Sequence, residues 1–263
     1  MSVGQYDYTS IHQIIDSTPV LHVSFPAGDD DFPVILPMLG CTGAFEKYGQ
    51  ANGEAEQYKS ATPGSFPEDE SKPPEDLDMP RSIYLHGSSV ARLFKESKEK
   101  MKVCICATGI QGIVLALTPF HNSCNYSSAV VHGYASAVES EEERLYALTR
   151  ITDNLVPGRW DRSRNPPTKA EMTSTGVLRV EIVSASAKVR VGGPGDDRHD
   201  LKNENVINNV WTGVIPCWMQ YGEPVQSDYN KVKKLPSYLR EFVDDANRQG
   251  QWEAQDIIKR EKK

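Results

Sequence analysis

A short apolar run near residue 85 leads into a group of polar side chains that could bind an anion. Ile83-Tyr84-Leu85-His86 is typical of a strand, and the following Gly87-Ser88-Ser89 is typical of a turn. Arg92 falls in the first turn of a helix that we predict from Ser88 to about Lys98. Helix N-terminal amides, two hydroxyls and a guanidinium together suit a phosphate. The alternative is an ordinary serine N-cap with a solvated arginine.

The elements that must position this turn are mostly strands. We predict strands over residues 21–25, 33–39, 82–86, 101–108, 112–118, 126–138 and 176–183, with a hairpin turn at 109–112. Helices are predicted over residues 88–98, 140–154 and 236–262. Several strands joined by short turns, with few substantial helices, predict a mainly β fold, a β-barrel with flanking helices.

The composition of the chain changes twice along its length. Between about residues 41 and 80 it is rich in Gly, Pro, Ser and acidic residues, so we predict a mobile insertion there. That insertion is either a lid over a site or a solvated loop. The rest of residues 1–222 is predicted to form one domain, and residues 223–263 a charged, partly helical extension.

Composition excludes several classes of protein. The 263-residue chain has a net charge of −7, which argues against a sequence-independent nucleic-acid binder. No segment has the apolar length of a membrane span, and the first residues lack the pattern of a signal peptide. The five cysteines are scattered without a Cys-x-x-Cys pair, so a disulfide framework or a metal site is not expected. We therefore predict a cytoplasmic protein without a metal site.

Common catalytic motifs are missing from the sequence. No Gly-x-Gly-x-x-Gly follows a strand, and no Gly-x-Ser-x-Gly elbow is present. The glycine-rich run 192–195 lacks the lysine of a P-loop. These absences remove the dinucleotide fold and the hydrolase triad from consideration.

Several runs, in order along the chain, resemble one family. Beyond the turn at 84–89 they are Thr118-Pro119-Phe120-His121-Asn122-Ser123-Cys124-Asn125-Tyr126, Val131-His132-Gly133, Leu155-Val156-Pro157-Gly158-Arg159-Trp160, Arg164-Asn165-Pro166-Pro167-Thr168, Ala185-Ser186-Ala187-Lys188-Val189-Arg190 and Trp211-Thr212-Gly213-Val214-Ile215-Pro216. They resemble the flavin-nucleotide-binding, nitroimidazole-resistance-like branch of the pyridoxamine 5′-phosphate oxidase superfamily. The resemblance covers residues 10 to 220 apart from the predicted insertion.

The resemblance implies an FMN-binding split barrel of Greek-key type, assembled as a homodimer with its cofactor sites at the subunit seam. It implies that the turn and Arg92 hold the FMN phosphate, and that backbone groups of residues 35–38 face the flavin ring. His86 or Tyr126 is expected to donate a proton in the flavin chemistry. The alternative for His86 is a residue that only hydrogen-bonds the phosphate turn. The implied cofactor-binding residues are Ile35, Leu36, Pro37, Met38, His86, Gly87, Ser88, Ser89, Arg92, Asn125, Tyr126, Ser127, Lys188 and Arg190, some of them supplied by the partner subunit.

One position departs from the family pattern. Members usually carry arginine where this chain has Ser127. A charge-assisted contact contributes roughly 1.5–3 kcal/mol, so its loss weakens cofactor binding by about tenfold or more unless Lys188 or Arg190 substitutes.

Three functions fit this pattern. The first is an FMN-dependent oxidoreductase that passes electrons between the flavin and a small organic substrate, for example a nitroaromatic or biosynthetic compound. The second is a non-catalytic flavin or haem binding module. The third is a family member that works without flavin in a biosynthetic transformation.

Overall fold

The computed structural model describes residues 3–5, 7–28, 30–45, 79–96 and 100–260. The strands are β1 (Val3–Gln5), β2 (Leu21–Ala27), β3 (Asp30–Met38), β4 (Gly40–Gly43), β5 (Ser82–Ser88), β6 (Met101–Leu115), β7 (Ser123–Ala137), β8 (Thr175–Arg190) and β9 (Gly213–Pro216). The helices are α1 (Tyr8–Asp16), α2 (Arg92–Glu96), α3 (Glu141–Leu155), α4 (Lys169–Ser174), α5 (Glu204–Asn209) and α6 (Ser237–Lys259), with 3₁₀ turns at Pro119–His121 and Asp200–Lys202. This mainly β architecture with flanking helices confirms the predicted fold class.

The strands pair in the order β3-β2-β6-β7-β8-β5-β4, with β1 beside β8 and β9 beside β6. The pairs β2–β3, β2–β6, β4–β5, β5–β8 and β6–β9 are antiparallel. Alternate residues of β2 (Leu21, Val23 and Phe25) are buried, as expected for a strand with one face against a core. Within the described residues, no helix is long and apolar enough to cross a membrane.

The predicted hairpin turn at residues 109–112 is wrong. One unbroken strand, β6, runs from Met101 to Leu115. A Cβ added at Gly112 would lie 2.9 Å from Cγ1 of Val214, across the β6–β9 pair. Gly112 therefore allows β9 to approach closely instead of reversing the chain.

The predicted insertion begins too early, because β4 (Gly40–Gly43) is a fully buried strand. The Asp16 carboxylate anchors it by accepting from Thr42 N (2.6 Å) and Thr42 Oγ1 (2.7 Å). The local Gly and Thr content gave no sign of a strand, since the partner that fixes it lies 26 residues away. Residues 46–78 of the predicted insertion lie outside the described residues.

The structure divides into two compact units. The first comprises Tyr6–Ala107 and Ala129–Ala187. One of its buried clusters forms where α3 packs on β4 and β5. That cluster consists of Cys41, Tyr84, Val138, Ala147, Ile151 and Val177.

The second unit comprises Met1–Gln5, Thr108–Ser128 and Lys188–Lys263. Helix α6 lies against β9 and buries Tyr238, Ala254 and Ile257. The Tyr221 ring packs edge-on against Phe242 at 5.2 Å, and the Asn247 side chain bonds both backbone groups of Tyr221. The helix predicted over 236–262 is thus confirmed, while the domain boundary predicted near Gly222 stays a prediction.

Candidate functional site

The predicted phosphate-binding turn lies in the first unit and differs from expectation in its helix. Ser88 ends β5, and α2 begins only at Arg92 and spans five residues. The N–H of Ser89 donates to Ser174 O (2.9 Å), and the N–H of Ala91 donates to Ser88 O (2.9 Å). Two of the amides expected to face an anion are therefore bonded to protein carbonyls. The predicted helix is present, but it begins at Arg92 instead of Ser88, and its predicted end near Lys98 lies outside the described residues.

Arg92 is exposed beside the turn that joins β2 to β3. A Cβ added at Gly28 would lie 3.3 Å from Nη2 of Arg92, and Gly28 has a φ of +57°. A larger residue at this position would be strained and would crowd the guanidinium. The Arg92 guanidinium therefore lies next to the β2–β3 turn.

The glycine of the turn has a packing role. A Cβ added at Gly87 would lie 2.8 Å from Cε2 of Phe94 and 3.5 Å from Cε of Met38, and a Cβ at Gly176 would collide with the Phe94 ring. Phe94 of α2 is therefore seated on two neighbouring glycines of β5 and β8, which pair Gly87 with Gly176. Val90 is 69% exposed because it precedes the helix.

His86 lies one residue before the turn and is half-buried. Its backbone N–H donates to Leu39 O at 3.4 Å. Burial lowers the pKa of the His86 imidazole from its ordinary value near 6.5. The ring is therefore neutral at neutral pH, with one nitrogen able to donate and the other able to accept.

The strand predicted to face a flavin ring is β3. It pairs with β2 in a register that sets Ile35 opposite Ser24 and Pro37 opposite His22. Among the described strands, β3 ends the pairing order, so its second edge is not paired with another strand of the sheet. Ile35 is 60% exposed, whereas Met38 is buried.

The remaining predicted residues lie on β7 and β8 in the second unit. Asn125 is fully buried. Its Oδ1 accepts from Nη1 of Arg190 at 2.6 Å, and its Nδ2 donates to Gly192 O at 3.1 Å. The structure thus brings Asn125 and Arg190 together, with the amide used to hold the guanidinium.

Ser127 has a neighbour that the sequence analysis did not identify. Nε2 of Gln111 is 3.5 Å from Ser127 Oγ, while Gln111 Oε1 is buried and accepts no hydrogen bond from the described residues. A buried acceptor without a donor costs about 1–3 kcal/mol, so it is a position where a ligand N–H or O–H would be stabilising. Gln111 was not identified as a site residue because it fell within the predicted hairpin turn. The sequence feature that pointed to it was a polar residue between two glycines of a strand.

Tyr126 and Lys188 lie in the same second unit as Asn125. Tyr126 is half-buried on β7, and Lys188 is exposed on β8, where its carbonyl oxygen is 3.4 Å from Ser128 Oγ. The predicted residues therefore form two groups, one in each unit. Residues 35–38, 86–89 and Arg92 make up the first group, and residues 125–127, Lys188 and Arg190 the second.

Comparison with known proteins supports the resemblance seen in the sequence. The sequence profile of the family described as Pyridoxamine 5′-phosphate oxidase matches residues 77–189. This segment contains the Gly87-Ser88-Ser89 turn, Arg92, Asn125 and Lys188. The chain is similar to this family over that segment, and the recognition made from its motifs is confirmed.

Two solved structures are similar over nearly the whole chain. The flavocytochrome Anf3 from Azotobacter vinelandii is 25% identical, covers 91% of each chain and has a TM-score of 0.65. The FAD and haem binding protein from Mycobacterium smegmatis is 22% identical, covers 91% of this chain and 97% of its own, and has a TM-score of 0.66. A search of curated proteins gives no match. These similarities confirm the split-barrel fold class.

Proposed function

We propose that this protein binds a flavin, with FMN as the form expected from its motifs. The observation that carries the proposal is the similarity to a flavocytochrome at 25% identity over 91% of both chains. The family profile over residues 77–189 also supports it, because that segment includes the Gly87-Ser88-Ser89 turn, Arg92, Asn125 and Lys188.

Each unit, taken separately, has groups that suit part of a flavin nucleotide. In the first unit, the Arg92 guanidinium and the Ser88 and Ser89 hydroxyls would hold the phosphate, since hydroxyls and guanidinium need no free helix terminus. In the second unit, the buried Gln111 Oε1 would accept from a donor on the flavin. Arg190, already oriented by Asn125, supplies a positive charge of the kind that Ser127 lacks.

A bound flavin would supply one- and two-electron transfer. The chain's own residues exclude water, orient the substrate and move protons. His86 is suited to donate or accept a proton because burial keeps its imidazole neutral at neutral pH. The Tyr126 hydroxyl is the second proton donor of the proposal. With these residues the protein would act as an oxidoreductase on a small organic substrate.

The homodimer and the cytoplasmic location belong to the same proposal. Support for self-association comes from β3, where Phe32 and Ile35 are 78% and 60% exposed. Apolar side chains with that exposure on an edge strand favour coverage by a second copy. Light scattering that gives the mass of one 29.3 kDa chain at working concentration would overturn the dimer.

A haem and flavin module is the second candidate. The flavocytochrome similarity favours it, because a flavocytochrome carries both groups and the matched region includes most of this chain. Such a protein would transfer electrons between haem and flavin, or hold them without turnover.

Visible spectroscopy of the purified full-length protein tests both proposals. We expect flavin absorbance to be retained after FMN is added and excess is removed, and a parallel sample with FAD identifies the preferred form. Bleaching by a reduced nicotinamide, followed by recovery with a nitroaromatic, would support the oxidoreductase. A Soret band after haem addition would favour the second candidate. A protein that stays colourless with FMN, FAD and haem would leave the flavin-independent alternative.

A further inference from the structure

Arg190 is connected to the C-terminal end of α6 through two other residues. Its Nη1 donates to Asn125 Oδ1 at 2.6 Å, and Asn125 Nδ2 donates to Gly192 O at 3.1 Å. The N–H of Gly192 in turn donates to the carbonyl oxygen of Ile257 at 2.9 Å. These three hydrogen bonds form one series that lies wholly within the second unit.

The bond at the end of the series lies where α6 needs a partner. Helix α6 ends at Lys259, so the Ile257 carbonyl has no amide within the helix to bond it. Gly192 supplies that donor. The Ile257 side chain is 5% exposed, so packing holds the end of α6 as well. The position of the C-terminal helix is therefore fixed relative to Gly192.

Gly192 has a backbone conformation that only glycine adopts without strain. It is buried and has a φ of +82°, in the left-handed region. In this conformation its N–H bonds α6 while its carbonyl oxygen bonds Asn125, so a change in φ would disturb both contacts. The loop that follows is anchored again at Asp196, whose Oδ1 accepts from the N–H of Leu117 at 2.7 Å. Asn125 therefore finds the Gly192 carbonyl in a fixed place.

The positive charge of Arg190 is not neutralised by a neighbouring acid. Its guanidinium bonds the neutral amide of Asn125, and within the described residues it forms no ion pair with a carboxylate. A guanidinium makes strong charge-assisted hydrogen bonds to phosphate. Holding a long side chain in place before binding removes an ordering cost of roughly two- to tenfold in affinity. The hydrogen bonds from α6 thus prepare Arg190 for an anion.

We propose that Gly192 is a positioning residue that, together with the C-terminal end of α6, holds Arg190 in place for the phosphate of a flavin nucleotide. This inference rests on the proposed flavin function and gives the C-terminal helix a part in it. Riboflavin has the same ring as FMN and no phosphate, so it gains nothing from a positioned Arg190. The arrangement therefore favours the nucleotide over riboflavin.

The affinities of the full-length protein for FMN and for riboflavin test the proposal, and flavin fluorescence quenching measures both. Gly192→Ala should weaken FMN binding by about fivefold, because Arg190 must then be ordered when the ligand binds. Riboflavin binding should stay as it is in the wild type. Gly193→Ala, which adds the same methyl group where nothing lies within 4 Å, is the matched control and should bind both flavins normally.

A double-mutant cycle separates positioning from a general structural effect. Arg190→Gln alone should weaken FMN binding by about tenfold, and adding Gly192→Ala to it should weaken binding no further. Arg248→Gln on α6, whose side chain is 75% exposed, controls for the loss of a positive charge. The inference is overturned if Gly192→Ala weakens FMN and riboflavin binding alike, or if the two effects add in the double variant.

Hydrogen exchange in the wild-type protein gives a test that needs no variant to fold. Since coupling is reciprocal, FMN should slow exchange of the Gly192 N–H more than riboflavin does. The N–H of Val210, which donates to Val206 O at the end of α5, should respond equally to the two flavins. Equal protection of Gly192 by both flavins would overturn the inference.

The two levels of the proposal fail in different ways. A wild-type protein that binds neither FMN nor FAD would overturn the flavin function and this inference with it. Normal FMN binding by Gly192→Ala would overturn only the positioning role, and the flavin function would stand.

Discussion

Arg190 donates to the fully buried Asn125, whereas Arg92 lies exposed beside the turn at Gly28. The buried amide fixes the Arg190 guanidinium before any ligand arrives. At the other group, two backbone amides are taken by carbonyls, so the turn depends on its side chains for binding an anion. The comparison shows that a buried hydrogen-bond network holds the group around Asn125 and Arg190. The group around Arg92 instead presents its side chains from a tightly packed turn.

The largest effect on stability should come from the hydrogen bonds of Asn125. Asn125→Ala removes the acceptor of Arg190 and the donor to Gly192, and we expect the free energy of unfolding to fall by about 3 kcal/mol. Urea denaturation followed by circular dichroism measures it. Asn209→Ala, at an exposed position on α5, should change stability by less than about 0.5 kcal/mol. Equal decreases in the unfolding free energy of the two variants would show that the hydrogen bonds of Asn125 do not stabilise the fold.

The next largest effect should come from the packing of the Phe94 ring beneath the turn. Gly176→Ala places a methyl group against the Phe94 ring, and overpacking of this kind costs about 2 kcal/mol. Gly193→Ala is the matched control, since nothing lies within 4 Å of a Cβ added there. Thermal unfolding of both variants gives the comparison, and an unchanged Gly176→Ala protein would contradict the packing described for α2.

The two arginines can then be separated by their effects on binding and on stability. Arg92→Gln should weaken FMN binding by about tenfold, or about 1.4 kcal/mol, and should lower the unfolding free energy less than Arg190→Gln does, because Arg92 is exposed. Arg190→Gln should weaken FMN binding and also lower the unfolding free energy, because Asn125 loses a hydrogen-bond partner. Flavin fluorescence quenching and urea titration measure the two quantities, with Arg248→Gln as the control. An Arg190→Gln protein as stable as the wild type would contradict the difference proposed between the two groups.

The smallest expected effect is a pH dependence from His86. Its folded pKa is depressed by burial, so the unfolded chain binds more protons below its ordinary pKa of about 6.5. Stability is therefore complete above that value and is lost as pH falls through the window below it. Urea midpoints at pH 7.5 and 5.5 should differ less in His86→Gln than in the wild type. Identical differences in both proteins would assign the pH dependence to other groups.

Alternating apolar residues predicted most of the strands, because the strand period shows in local sequence. Residues 21–25 and 176–183 were identified in this way. The wrong hairpin at 109–112 came from glycines whose space is needed by β9. Sequence alone could not distinguish a glycine that turns the chain from one that admits a distant strand.

For the candidate site, the sequence predicted which residues belong together but not the hydrogen bonds that they make. Asn125 and Arg190 lie 65 positions apart and were grouped only through the family resemblance, yet the structure bonds them directly. The engagement of the Ser89 amide by Ser174 depends on a chain segment far from the turn. Gln111 became visible only once β6 was seen to continue through it.

Cys41 gives the first unit a built-in reporter of its own opening. Burial raises the pKa of this thiol to about 12, so alkylating reagents should reach it only while β4 is transiently released. Cys104, Cys106, Cys124 and Cys217 are all partly exposed. In a variant that lacks those four cysteines, the alkylation rate of Cys41 would then measure how often β4 detaches from Asp16, without a denaturant.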